Sequence, residues 1–428
     1  MSRTRLLHAI AAAAAISCAA PAVALDIVLV DPTNSFGTSP NGAEALLAFQ
    51  KAANYWNKTL TNNVTVKIEI GFNALGDRVL GSTRSYSSAV AVSDVYQGLA
   101  STGTTALDAI AVANLSKLNA GGGLTIRTNN YLDVANKLGI QDATVTRTGN
   151  AAINNYLDVN QSVIKALGLT NQVAPLNKYD ASIQFSSQFA FDYNPSNGID
   201  AGKYDFTAVA VHELGHALGF VSGTDTFDIL MHGKGPLAAP FEAGDFGFTD
   251  IAELPVGSTL DLFRYGNSIG TDGKAILQWS ANRPAYFSID GKSVFGLRDS
   301  AFQEPATFST GEFSGDGAQA SHWKDNIAFN DPDALGCFQS SRQVGIMDPT
   351  SSPCYTENVS RNDIAAFDAM GWNTHVNALT DKGYSVSSAD IYAMDGVAVA
   401  VPEPGTWGML ALGLGVLGFM SQRRRRAD

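Results

Sequence analysis

The chain has 428 residues, 45% of them hydrophobic and 16% charged, with a net charge of −12. A disordered chain would hold fewer apolar residues, three cysteines cannot staple a small disulfide scaffold, and the length fits two or three domain-sized units or one two-lobed domain. Six of the basic residues sit at the extreme ends, so the body is more acidic still; such a surface repels phosphate backbones and anionic lipid, which excludes nucleic acid as a partner.

Residues 1–24 read as a secretory signal peptide. Arg3 and Arg5 form its charged start, 6–20 its apolar stretch, and Ala22-Val23-Ala24 its small-residue cleavage site. Cys18 leaves with it. Cys337 and Cys354 then remain in an oxidising compartment and are expected to pair. A short apolar strand is predicted at 27–30 and a turn-rich loop at 32–41. Leu46, Phe49, Ala53 and Trp56 recur at helical spacing over 43–56. Val64, Val66, Ile68 and Ile70 alternate with polar residues as a half-buried strand does. The polar stretch 73–180 holds helix candidates near 131–138 and 161–167. One or two strands are predicted over 183–193, a turn at 195–198, and Asp205 as the N-cap of the next helix. From 226 to 320 the chain is irregular, with strand-like pieces at 260–265 and 285–289. A helix is predicted at 363–370, and 376–400 reads as a linker.

The C-terminus carries Val401-Pro402-Glu403-Pro404-Gly405, an apolar run at 406–420, then Ser421, Gln422 and four arginines. The run is short of the roughly 20 residues a permanent span needs, and the arginines would hold it at the cytoplasmic face. Residues 401–428 resemble the PEP-CTERM sorting signal of Gram-negative bacteria. The resemblance implies transient inner-membrane association, processing by an exosortase, and release to the cell surface or extracellular matrix.

Most of the chemistry lies in Ala208-Val209-Ala210-Val211-His212-Glu213-Leu214-Gly215-His216-Ala217-Leu218-Gly219-Phe220. His212 and His216 are four apart, so on a helix they share a face. Two such imidazoles can bind one Zn2+ at about 2.0–2.1 Å each. Glu213 points to the neighbouring face, the general-base position of the His-Glu-x-x-His metallopeptidases. The helix is apolar nearly all round and therefore buried, and buried histidines need partners.

The third ligand is less direct. Gly219 stands where metzincins place a glycine that turns the chain toward a third histidine, but the matching position here is Ser222. Asp225 is one candidate; Gly223-Thr224-Asp225-Thr226-Phe227 is similar to the aspzincin pattern, which requires Asp where Phe227 stands. His232 reads as a loop histidine, Glu242 and Glu253 sit in no matching motif, and His375 follows the last helix. His322 is the first choice, in Ala320-Ser321-His322-Trp323, followed by Gly345-Ile346-Met347-Asp348-Pro349.

This order resembles the leishmanolysin-like metzincins, and also a bacterial metallopeptidase family that joins such a core to a PEP-CTERM tail. The resemblance implies an α+β zincin: a twisted mixed sheet and active-site helix in an upper lobe at about 25–222, and an irregular lower lobe at about 223–375. Under it His322 is the third ligand, Met347 forms the Met-turn floor beneath the zinc, and a Cys337–Cys354 bridge braces that turn. The strand at 183–191 would pair with an extended substrate, and Tyr355 is a candidate for stabilising the transition state.

The expected activity is that of an exported zinc endopeptidase acting on protein or peptide, with Glu213 as general base and one zinc position open to water. Signal peptidase and exosortase are the expected processing partners. A non-catalytic, zinc-stabilised surface or matrix protein is the alternative, although a purely structural site has no need of Glu213. A zinc hydrolase of non-peptide bonds is a third reading. Calcium is conceivable among the many Asp and Asn residues, but no loop matches a calcium motif.

Overall fold

The computed structural model describes residues 25–396 apart from 249, 298–303, 329–330, 332, 335–336 and 338–340. The expected signal peptide, the apolar run 406–420 and the arginine tail lie outside the described residues. Among those described, no helix is long and apolar enough to cross a membrane. The chain is α+β.

Alternation in Thr65–Asn73 buries Val66, Ile68, Ile70 and Phe72. This strand lies parallel to Asp26–Val30 on one side and to Ala181–Ser186 on the other. Gly81–Ser85 closes the sheet antiparallel, as its edge. Parallel neighbours need a crossover, and the helix Gly42–Thr59 supplies the first. Its Ala45, Ala48, Phe49, Ala52, Ala53 and Trp56 are all buried. The Phe49 ring meets Phe185 edge-on at 4.9 Å, and Phe185 lies 4.7 Å from Phe206, the first residue of the helix Phe206–Ala217. Trp56 Nε1 donates to the Val211 carbonyl at 3.2 Å. Each such ring contributes roughly 1.5–3 kcal/mol by leaving water, and together they lock the histidine-bearing helix onto the sheet.

A six-stranded sheet runs in the order Thr307–Phe308, Ala285–Phe287, Arg264–Ile269, Ala275–Gln278, Ile126–Asp133, Leu138–Arg147. It corrects two expectations. The helix expected near 131–138 is instead the turn of a hairpin. There Asp133 accepts from the backbone N–H groups of Ala135 and Asn136, and Lys137 adopts φ 58°. Leu132 and Val134 are exposed, so their spacing marks no core face. A division into lobes at about 222 also fails, because 126–147 shares this sheet with 264–308. The helix expected near 161–167 is present as Gln161–Ala166.

The expected linker at 376–400 is packed as far as it is described. Ser385–Ser387 pairs antiparallel with Asn358–Ser360. The helix Ser388–Ala393 buries Ile391 and places Ser388 Oγ as a donor to Asp205. Cys337 and Cys354 are bonded, with Cα atoms 5.5 Å apart. Their loop encloses Met347, and the Cys354 N–H donates to the Lys203 carbonyl at 2.8 Å. Closing a loop of this size constrains the unfolded chain by about 3 kcal/mol.

Candidate metal centre

The helix Phe206–Ala217 is fixed at both ends. Asp205 caps it, Oδ1 accepting from Ala208 N–H at 3.0 Å. At the far end Ser85 Oγ, Ser162 Oγ and Trp372 Nε1 donate to the carbonyls of His216, Ala217 and Leu218 at 2.9, 2.7 and 2.8 Å. Gly219 then takes φ 110°, a conformation that favours glycine, and turns the chain away. Burial pushes the Asp205 carboxyl up to about 7, and its hydrogen bonds offset only part of that. Its folded pKa thus lies above its unfolded one of about 4. The stability it contributes is present below about pH 4 and is lost as pH rises through about 7. Asp205→Asn keeps a capping oxygen without the charge. Its Tm relative to wild type is expected to improve from about pH 4 to about pH 7 and to level off above that, as thermal melts at stepped pH will read.

Three imidazoles converge at the helix. His216 Nε2 lies 3.0 Å from His212 Nε2 and 3.1 Å from His322 Nε2, and the third side of the triangle is 3.2 Å. Each Nδ1 faces a backbone carbonyl: Ile346 for His212 at 2.8 Å, Phe220 for His216 at 2.7 Å, and Gln319 for His322 at 3.2 Å. A carbonyl can only accept, so Nδ1 carries the proton and Nε2 presents its lone pair. Burial lowers the pKa of His212 to about 4 and that of His216 to about 3. Burial and the two neighbouring rings hold His322 well below its usual value. Protonation at neutral pH therefore does not relieve three lone pairs aimed at one point. A cation does, and tetrahedral bonds of about 2.0–2.1 Å place ligand nitrogens about 3.3 Å apart. Among the described residues, His212, His216 and His322 form the one such cluster of metal-capable side chains.

His322 is held by residues that carry no motif. Asp225 lies outside the histidine cluster: its carboxylate accepts from Ala320 N–H at 2.6 Å and from Ser321 N–H and Oγ at 3.1 and 2.5 Å, which positions the loop just before His322. The wholly buried Arg264 donates to the carbonyls of Gln278, Ser309 and Ala320. Ser222, the residue where a metzincin histidine would stand, donates its N–H to Ser321 Oγ at 2.8 Å. Trp323 N–H donates to the Met347 carbonyl at 3.0 Å. Asp363 then gathers the turn, accepting from Trp323 Nε1 at 2.8 Å, Ile346 N–H at 2.9 Å and Met347 N–H at 3.3 Å. Met347 is fully buried. A Cβ on Gly215 would lie 2.3 Å from its sulfur, so the glycine inside the histidine motif is what admits the methionine beneath the helix.

Glu213 is 6% exposed and stands outside the histidine cluster. Thr83 Oγ1 donates to its Oε2 at 2.6 Å and to its backbone carbonyl at 3.0 Å. Burial raises its pKa to about 7, with the Thr83 bond pulling the other way. A Cβ on Gly81 would come within 2.7 Å of Oε1. The edge strand Gly81–Ser85 thus presses directly on this carboxylate, and both line a cleft of about 1190 Å³ with the histidines. The strand expected to meet a substrate, at 183–191, is interior: Ala181–Ser186 has neighbours on both sides, and of the sheet's two edge strands it is Gly81–Ser85 that lines the cleft.

The other candidates lie elsewhere. His232 Nδ1 is paired with Glu242 at 2.8 Å on the surface, and Glu253 and His375 are exposed. Tyr355 is half-buried and does not line the cleft, whereas Tyr204 does.

Residues 400–426 match the family model described as the PEP-CTERM protein-sorting motif. The chain therefore ends in the sorting signal of exported Gram-negative proteins, which an exosortase processes. The match is confined to that terminus. No curated protein and no solved structure matches the chain.

Proposed function

We propose that the body is a zinc-dependent endopeptidase. One observation carries the reading: three Nε2 atoms within 3.0–3.2 Å of one another, each ring tied through Nδ1 to a carbonyl, beside a buried carboxylate that is not one of the cluster. A structural zinc site usually closes with a fourth protein ligand; here the fourth direction opens on the cleft. His212, His216 and His322 would hold the ion. When bound, zinc supplies Lewis acidity that polarises a carbonyl and acidifies water. Glu213 takes the proton from the attacking water and passes it to the leaving amine. Thr83 fixes the orientation of that carboxylate, and Gly81 leaves it room. The Gly81–Ser85 edge offers unpaired backbone groups to an extended peptide, which would add as a further strand. Export would direct such an activity at extracellular or surface protein.

Casein, a neutral ester and an amidated substrate, assayed side by side, test the reading. The expected result is casein hydrolysis that a chelator abolishes and one equivalent of Zn2+ restores. Ester turnover with casein untouched would indicate a hydrolase of non-peptide bonds. Zinc retention with no turnover of any substrate would leave a zinc-stabilised surface or matrix protein.

A further inference from the structure

We propose that Asp348 and Glu357 form an acidic recess in the cleft that receives a cationic side chain, arginine or lysine, from the substrate residue following the scissile bond. The inference rests on the peptidase reading for its substrate. The case for the recess itself does not involve the histidines; only its position relative to the scissile bond does.

Both carboxyls line the cleft yet are 2% and 4% exposed. Neither oxygen of Asp348 has a well-formed hydrogen bond and Glu357 Oε1 has none; only the Gly345 backbone approaches Asp348 and only the Ser351 hydroxyl approaches Glu357, and burial outweighs both. Buried carboxylates are ordinarily paired or hydrogen-bonded, because desolvating an unpaired charge is costly. Here the charged groups acting on them are all acidic: Asp363, Glu357 and Asp325 on Asp348, and Asp205 and Asp325 on Glu357. Burial pushes Glu357 up to about 8 and Asp348 well above the usual carboxylate range. The recess is a cation-shaped deficit.

Its place follows from chain direction. Asp348 comes directly after Met347, and the preceding Ile346 carbonyl holds His212. Val209, one turn before His212, lines the same cleft. The edge strand starts at Gly81 beside Glu213 and ends at Ser85 on the His216 carbonyl. A peptide pairing antiparallel with it runs from the Ser85 end toward the Gly81 end. Residues after the scissile bond are thereby carried toward the N-terminal half of the helix, which holds Val209 and whose N-cap Asp205 acts electrostatically on Glu357. Among the described residues no third metal-capable side chain joins the two carboxyls, so a cation brought by the substrate fits better than a resident ion. A guanidinium can fork to two carboxylates at once.

The test uses the full chain with fluorogenic peptides that differ only at the residue after the scissile bond. Arginine and lysine are expected to exceed glutamine and norleucine in kcat/KM by about tenfold or more. Asp348→Asn and Glu357→Gln are each expected to shrink that ratio. A wild-type profile favouring apolar or acidic residues overturns the recess and leaves the peptidase reading intact. Because the wild-type profile decides by itself, a variant that fails to fold does not void the test. If no peptide is cleaved, the peptidase reading fails and calorimetry decides the recess. Arg-Ala binding about tenfold or more tighter than Gln-Ala supports it, and equal binding overturns it. Selectivity that vanishes on adding calcium, with calcium binding lost in Asp348→Asn, assigns the recess to a free cation and also overturns it.

Discussion

Glu213→Gln is expected to lower kcat by about 10²–10⁴-fold while the chain keeps its metal, the range proton transfer by a positioned side chain supplies. The substitution is close to isosteric, and its amide oxygen can still accept from Thr83 Oγ1, which lies 2.6 Å from Oε2 in the wild type. Gly81 leaves the same room for it. KM should change little, because the lost step is proton transfer and not substrate binding. Steady-state kinetics on a peptide substrate, with zinc content determined on the same sample, read both halves. Activity within about threefold of wild type would remove Glu213 from the mechanism.

Asp363→Ala is expected to be the most destabilising substitution of a residue outside the histidine cluster. Its carboxylate accepts from Trp323 Nε1, Ile346 N–H, Met347 N–H and Ser360 N–H, all of them buried. The last of these is half of a capping box that starts the helix Arg361–Ala369. Each buried donor left without a partner costs about 1–3 kcal/mol. The costs are not additive, so a total of at least about 3 kcal/mol is expected, with a fall in Tm of roughly 4 °C or more for a folded body of this size. Gly345 lies so near that a Cβ there would meet Asp363 Oδ2 at 2.2 Å, which shows how tightly the turn wraps this carboxylate. Because Ile346 also holds His212, weaker zinc retention should accompany the loss. Thermal melts and metal content measured on the variant check the two together.

Local patterns were legible in the sequence. The alternation in 64–70 and the helical spacing in 43–56 follow from a face that must be buried, and both elements form. The four-residue spacing of His212 and His216 likewise implied a shared face. The helix expected near 131–138 did not form. Leu132 and Val134 are exposed on a hairpin, where turn chemistry at Asp133 decides the structure. The stretch after 376 read as a linker from its place before the sorting signal, yet buried Ala378 and Ile391 and the Ser388 bond to Asp205 dock it.

The site divides in the same way. His322 lies 106 residues from His216, and only resemblance to a known ligand order singled it out. Thr83, Gly81 and Ser85 act on the helix from 130 residues away, and short polar residues in a polar stretch give no signal of that kind. Asp225 was a reasonable ligand by spacing, but its two oxygens are taken up by the loop that delivers His322. An acidic side chain near a histidine pair can ligate a metal or aim another ligand, and hydrogen-bond donors distant in sequence determine which.

Zinc content and casein cleavage, measured on one preparation of wild type and one of His322→Ala, test the central claim most directly. The account predicts one zinc per chain and cleavage in the wild type, with both lost in the variant. A His322→Ala protein that keeps full zinc and full activity would contradict it.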